Sequence, residues 1–109
     1  MNELRKRIMA NRDDLIEGTF CHALFENGIF NSDKLDELLN NLNEYIRPLQ
    51  NGDKEVHELL VWIVGGVEQC FTSHHDSDDL FSIKNYSPNL EKRWRAAWKA
   101  EMAEYISLA

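Results

Sequence analysis

The chain has 109 residues, of which 43% are hydrophobic and 10% aromatic, and its formal net charge at pH 7 is −7. This length allows one modest hydrophobic core and hence a single domain, residues 1–109, and the apolar content excludes a disordered chain. The N-terminal segment contains basic residues but no apolar run behind them, and no window approaches the length of a membrane span. We therefore expect a soluble, cytoplasmic protein without a membrane partner.

The charge is unevenly distributed along the chain. Residues 21–83 contain twelve acidic side chains but only three basic ones, whereas the segments before and after are balanced or slightly basic. Nucleic-acid binding requires a basic footprint for the phosphates, so we expect no direct nucleic-acid contact. An acidic middle segment instead attracts and steers a basic protein partner.

The first third of the chain is predicted to be helical. Residues 3–10 form a short helix, and a second helix begins at Asp13, with an apolar stripe at Leu15, Ile16, Phe20, Ala23 and Leu24. Gly28 stops this helix. Ile29 and Phe30, in the connector that follows, are expected to lie in the core.

Two longer helices are predicted next. Ser32 is the expected N-cap of a helix that ends near Pro48. A further helix, roughly 53–72, has the clearest helical spacing, at Val56, Leu59, Leu60, Ile63, Val64, Val67, Cys70 and Phe71. Gly65 and Gly66 in its middle indicate a close approach of another element, because glycine otherwise weakens a helix.

The last third begins with a predicted loop, HHDSDD, followed by LFSIKNY as a short extended segment. Ser87 and Pro88 then form a strong helix start. The tryptophans at 94 and 98 are four residues apart on the apolar face of this last helix, which favours core positions over nucleic-acid stacking. The predicted fold is all-α, a compact bundle of four or five helices joined by short loops.

No residue pattern indicates catalysis. Cys21 and Cys70 fall on apolar helical faces and are expected to be buried and reduced, because two thiols do not make a disulfide framework. His22 adjoins Cys21 but projects from a helix about 100° away, so the two do not form a nucleophile–base pair. The sequence also lacks a glycine-rich phosphate loop. We therefore expect a protein that is not an enzyme.

Residues 71–81, FTSHHDSDDLF, contain metal-ligating residue types: His74, His75, Asp76, Asp78 and Asp79. Adjacent histidines seldom point the same way, and the string at His57 lacks the second histidine of HExxH. The acidic run lacks the glycine and the final glutamate of a calcium loop. We expect no metal or other cofactor, and a small metal-binding protein or metalloenzyme built on this cluster is the alternative function.

The same stretch has a second interpretation as a protein-binding surface. Its three aspartates crowd into one predicted loop, and no basic residue lies between 55 and 83 to offset them. A solvated loop would explain this, but such carboxylates also anchor interfaces when they pair with arginine or lysine. The expected partner-binding residues are Glu58, Glu68, His74, His75, Asp76, Asp78 and Asp79.

The combination of ALFENGIFNSDKL with a helix running into FTSHHDSDDLFSIKN resembles a family of small bacterial immunity proteins. These belong to polymorphic toxin and contact-dependent growth inhibition systems. In that family a GIF segment precedes a helix, and a Ser-His-x-Asp-x-x-Asp stretch leads to Ile-x-Asn. The matching positions, within residues 23–85, are Gly28, Ile29, Phe30, Ser73, His74, Asp76, Asp79, Ile83 and Asn85.

The resemblance implies a non-enzymatic inhibitor without catalytic residues. Its partner would be the cognate toxin C-terminal domain of a large exoprotein, bound in the cytoplasm of the producing cell. The acidic middle segment adds the expectation of a basic toxin, such as an RNase or DNase. A phage-encoded inhibitor that imitates DNA is a further alternative, and the sequence leaves the oligomeric state and the binding face open.

Overall fold

The computed structural model describes residues 2–109, and every regular element in this range is helical. Its α-helices are α1 (Glu3–Met9), α2 (Ser32–Ile46), α3 (Lys54–His75), α4 (Pro88–Arg93) and α5 (Lys99–Leu108). A 3₁₀ turn spans Ala10–Arg12, and π-helical segments span His22–Glu26 and Trp94–Trp98. The radius of gyration is 13.8 Å, close to the ~13 Å of a compact chain of this size. The predicted compact all-α bundle is confirmed.

Side chains cap the starts of four helices, which explains where these helices begin. Asn2, Asn31, Asp53 and Ser87 each accept a hydrogen bond from a backbone N–H in the first turn, at 2.9–3.2 Å. The predicted start at Ser87 is confirmed. The N-cap of α2 is Asn31 rather than Ser32, because Asn31 has the extended backbone of a cap and Ser32 is already helical.

The core is organised around Phe30, in the connector before α2. Its ring centroid lies 5.3 Å from Phe20, 5.9 Å from Phe71, 6.4 Å from Trp94 and 5.4 Å from Trp98. Both tryptophans are buried, as predicted. α1 and α5 each pack against α2, and α5 also packs against α3. Within residues 2–109 no helix is long and apolar enough to cross a membrane.

The predicted helix from Asp13 is wrong over its first turns. Gly18 has a φ of +87°, which breaks a right-handed helix. The Asp13 carboxylate accepts the N–H of Leu15 at 3.0 Å and holds the chain in a turn. The Thr19 hydroxyl then accepts the N–H of His22 at 3.0 Å, so the helical backbone starts at residue 20.

Three further expectations differ from the structure. Ile29 is 41% exposed rather than part of the core. α3 continues three residues beyond its predicted end, so His74 and His75 lie in its last turn and not in a loop. Residues 80–86, predicted to be extended, form no strand and instead run irregularly through a turn.

Candidate functional site

The acidic loop, residues 76–80, leaves the C-terminus of α3 in a defined backbone conformation. The carboxylate of Asp76 accepts the N–H of Asp78 at 2.9 Å, and the carboxylate of Asp79 accepts the N–H of Phe81 at 2.9 Å. Both contacts are local turns in which an aspartate bonds to the backbone two residues later. Asparagine forms the same turn, so the conformation depends on the side-chain oxygen and not on its charge.

The acidic loop has charges but no internal counter-charges. Asp76, Asp78 and Asp79 are exposed, and none forms an ion pair with any residue between 2 and 109. Leu80, at the end of the loop, is fully exposed. The loop therefore presents three unneutralised carboxylates beside one apolar side chain.

His74 is turned toward the protein. Its Nδ1 accepts the backbone N–H of Ile83 at 2.9 Å, so the neutral ring carries its proton on Nε2. The ring stacks on Tyr86 with 4.1 Å between centroids. His74 therefore holds the segment after the acidic loop against the end of α3.

His75 belongs to a charged network with α4. Its Nε2 donates to Glu91 at 2.7 Å, and the Tyr86 hydroxyl donates to the same carboxylate at 2.8 Å. Arg95 binds the other oxygen through two nitrogens, at 2.8 and 3.1 Å. Partial burial opposes ionisation of Glu91, but hydrogen bonds from His75, Arg95 and Tyr86 lower the pKa of Glu91 to about 2.

The two predicted helix acids have different environments. Glu68 pairs with Arg95 at 3.1 Å and with Lys99, and it also accepts the indole N–H of Trp94 at 3.2 Å. Burial opposes ionisation of Glu68, yet the hydrogen bonds from Lys99 and Trp94 lower its pKa. Glu58 is exposed and forms no ion pair with residues 2–109. Glu68 thus joins α3 to the π-helical segment and to the start of α5, whereas Glu58 faces solvent.

Several residues that carry the family resemblance converge in space. The Asn85 amide accepts the N–H of Phe30 and donates to its carbonyl, both at 2.8 Å. The N–H of Lys84 donates to the carbonyl of Gly28 at 2.7 Å. A Cβ at Gly28 would lie 2.7 Å from the carbonyl oxygen of Ser82, so no larger residue fits there. We call this set of contacts, with the His74–Ile83 bond, the latch.

The remaining predicted site residues do not form a metal or nucleophile site. No three His, Cys, Asp or Glu side chains within residues 2–109 converge on a position that could hold a metal ion. Cys21 and Cys70 are free and buried, as predicted. Burial raises the pKa of the Cys21 thiol to about 12 and that of the Cys70 thiol to about 11, so both stay protonated near neutral pH.

An exposed aromatic surface lies beside Cys70. It was not predicted from the sequence. Trp62 is 44% exposed on α3, and the Phe25 ring meets it edge to face with 5.4 Å between centroids. An open groove of about 390 Å³ is lined by Phe25, Trp62, Gly66 and Phe81, and Asp14 is the charged residue of its lining. We call it the Trp62 groove. Its signal in the sequence was a tryptophan outside the apolar stripe of its own helix.

Comparisons with known proteins identify no relative. No family model, curated protein or solved structure matches the chain. The site therefore has to be interpreted from its own geometry. Of the seven expected partner-binding residues, Glu68, His74 and His75 hold internal contacts, and the four without internal ion pairs are Glu58, Asp76, Asp78 and Asp79.

Proposed function

We propose that this protein is an immunity protein that binds and neutralises a basic cognate toxin domain without catalysing a reaction. The partner would be the C-terminal domain of a large exoprotein encoded next to it, and a nuclease domain with a basic active site fits the charge. The family resemblance suggested this function, and the surface chemistry gives it a physical basis. Binding would take place in the cytoplasm of the producing cell.

The observation that supports this proposal most directly is the state of the acidic loop. Unpaired carboxylates close together repel one another and weaken the native state slightly. Arginine or lysine side chains of a partner remove this repulsion and form charge-assisted hydrogen bonds. The fully exposed Leu80 adds an apolar contact beside the charges.

The latch supports the same proposal because it gives the acidic loop a fixed position. Both ends of the loop are held: α3 continues to His75 before it, and after it Ile83 bonds to His74 and Asn85 bonds to Phe30. A loop held in advance loses little conformational entropy on binding. Tight binding then requires no ordering step.

The direct test is co-expression of the chain with the C-terminal domain of the large protein encoded upstream. We expect rescue of growth and a complex whose association rate falls steeply with added salt. Replacing Asp76, Asp78 and Asp79 by asparagine keeps the local turns but removes the charge. This variant should associate at least tenfold more slowly, since electrostatic steering is worth about 10- to 1,000-fold, while its stability changes by less than about 1 kcal/mol.

A charge-matched control separates a local effect from a change in net charge. Glu3, Asp33 and Glu44 are exposed on α1 and α2 and form no ion pair with residues 2–109. The variant E3Q/D33N/E44Q loses the same three charges and should keep most of the association rate. Equal slowing of both variants would reject the acidic loop as the contact, and absence of both complex and rescue would reject the immunity function.

A further inference from the structure

The Trp62 groove is an apolar surface on the outward side of α3. Trp62 is 44% exposed, and its edge-to-face contact with Phe25 keeps both rings in a defined orientation. The groove volume of about 390 Å³ lies within the range of about 300–1,000 Å³ seen for binding pockets. One large apolar side chain of a partner therefore fits between these rings and Phe81.

Gly66 explains how Phe25 can lie against α3. A Cβ at Gly66 would be 2.6 Å from Cζ of Phe25, whereas a Cβ at the neighbouring Gly65 would have nothing within 4 Å. Glycine in a helix interior costs about 1 kcal/mol relative to alanine. At position 66 the absence of a side chain lets the ring of Phe25 contact the helix and form one side of the groove. At position 65 no packing contact requires glycine.

The charges around the groove are acidic. Asp14 is the charged residue among those that line it, and the acidic loop ends directly before Phe81. Glu58 lies one helical turn before Trp62, which places it on the same side of α3. The neighbouring cation, Arg12, is paired with Glu55 at 3.6 Å. An occupant of the groove therefore meets the carboxylate of Asp14 and no lining cation, so it gains from positive charge.

We propose that the Trp62 groove seats one large apolar side chain of the basic toxin domain, with an adjacent arginine or lysine directed at Asp14. This inference rests on the proposed immunity function, and it assigns a large share of the binding free energy to contacts with Trp62 and Phe25. Tryptophan is enriched among the few residues that contribute most to protein interfaces. The acidic loop then steers the encounter, and the groove retains the complex.

A second copy of this chain is a poor occupant because its two most exposed apolar side chains, Leu15 and Leu80, directly follow acidic residues. Leu15 follows Asp13 and Asp14, and Leu80 follows Asp79. Either leucine would bring its neighbouring carboxylate toward Asp14 in the groove. A partner that presents arginine or lysine next to its apolar side chain has no such repulsion.

The test is to titrate the upstream-encoded toxin domain into wild type, Trp62→Ala, Gly66→Ala and Gly65→Ala. The Gly66 variant places a methyl group against Phe25, and the Gly65 variant adds the same group in open space, so the two are a matched pair. We expect the first two variants to raise Kd by about tenfold or more and the Gly65 variant to keep the wild-type Kd. Thermal unfolding of each variant separates lost binding from lost folding.

Fluorescence gives a second readout without a mutation in the groove. Trp94 and Trp98 are buried, so quenching of the free protein by acrylamide comes mainly from Trp62. We expect Trp62 to become protected from acrylamide in the complex. A complex with unchanged quenching and equal Kd for all four forms would overturn the groove assignment and leave the immunity function standing.

If no complex forms, the immunity function fails and the groove is tested with peptides. The first peptide carries leucine and phenylalanine between arginines, and the second has glutamate in place of each arginine. Saturable protection of Trp62 by the arginine peptide alone, reduced in Gly66→Ala, supports the chemistry of the groove. Binding of neither peptide overturns it, as does a change of oligomeric state in Trp62→Ala, which would identify a second copy as the occupant.

Discussion

At the residue scale, side chains that look like binding groups in the sequence divide into internal and external roles. His74 uses Nδ1 for the backbone N–H of Ile83 and its face for Tyr86. Asn85 satisfies both backbone groups of the buried Phe30. Such contacts cannot be read from a one-dimensional pattern, because they join residues that are up to 55 positions apart. The aspartates of the acidic loop, by contrast, were predicted to be exposed from their local crowding alone.

The Asn85 contact predicts a large effect of a small surface change. Asn85→Ala leaves the N–H and carbonyl of Phe30 without their partners, and an unsatisfied buried polar group costs about 1–3 kcal/mol. Asn85→Asp keeps the acceptor for the N–H but sets a carboxylate oxygen against the carbonyl oxygen of Phe30, so it should also destabilise the fold. Urea denaturation measures the difference. A loss below about 0.5 kcal/mol for the alanine variant would show that water replaces the Asn85 side chain as the partner of Phe30.

At the element scale, the sequence predicts the long helices and fails at residues 13–19. The apolar stripe of α3 recurs at helical spacing over its whole length, so its burial follows from periodicity. Leu15 and Ile16 fit the same spacing, yet they are 72% and 44% exposed. Two local features prevent a helix at residues 13–19 despite the helical spacing of the apolar residues. Gly18 has a positive φ, and Thr19 acts as an N-cap, so that the helix begins after it. The exposed Trp62 lies outside the apolar stripe of α3, where helical periodicity predicts exposure but not the neighbouring ring of Phe25.

The two glycines of α3 give a prediction about stability that needs no partner. Gly65→Ala should raise the free energy of unfolding by about 0.5–1 kcal/mol, because alanine favours the helix and its Cβ meets nothing within 4 Å. Gly66→Ala should gain less, since the new Cβ displaces the ring of Phe25. Chemical denaturation of both variants measures the difference. Equal stabilisation would mean that Phe25 moves aside freely, and that Gly66 does not shape the groove.

At the scale of the whole molecule, ionised carboxylates join elements that are distant in sequence. Asp53 accepts hydrogen bonds from Arg5 at 2.9 Å and from the Tyr45 hydroxyl at 2.6 Å, which links the start of α3 to α1 and α2. Glu68 links α3 to Arg95 in the π-helical segment, and Glu91 links α4 to His75 in α3. Burial opposes ionisation of all three carboxylates, but hydrogen bonds lower their pKa values. The donors are Arg5 and Tyr45 for Asp53, Lys99 and Trp94 for Glu68, and His75, Arg95 and Tyr86 for Glu91. The bundle is therefore held together partly by charges that acid removes.

This arrangement predicts a loss of stability at low pH that depends on Glu91. Its pKa is about 2 in the folded protein and near the ordinary 4.5 in the unfolded chain. As the pH falls below about 4.5 the unfolded chain takes up the proton first, so the stabilisation is complete above that pH and is lost toward pH 2. With allowance for solvent screening, its size is about 1–2 kcal/mol.

Glu91→Gln tests this pH dependence because glutamine cannot titrate. Wild type should be more stable than the variant at pH 5, and the difference should shrink as the pH falls toward 2, as measured by urea denaturation across the range. Glu44→Gln is the control: Glu44 is exposed and forms no ion pair with residues 2–109. A constant difference between wild type and Glu91→Gln would show that Glu91 acts through packing. A difference that shrinks confirms that the charge of Glu91, bound by His75, Arg95 and Tyr86, stabilises the packing of α4 against α3.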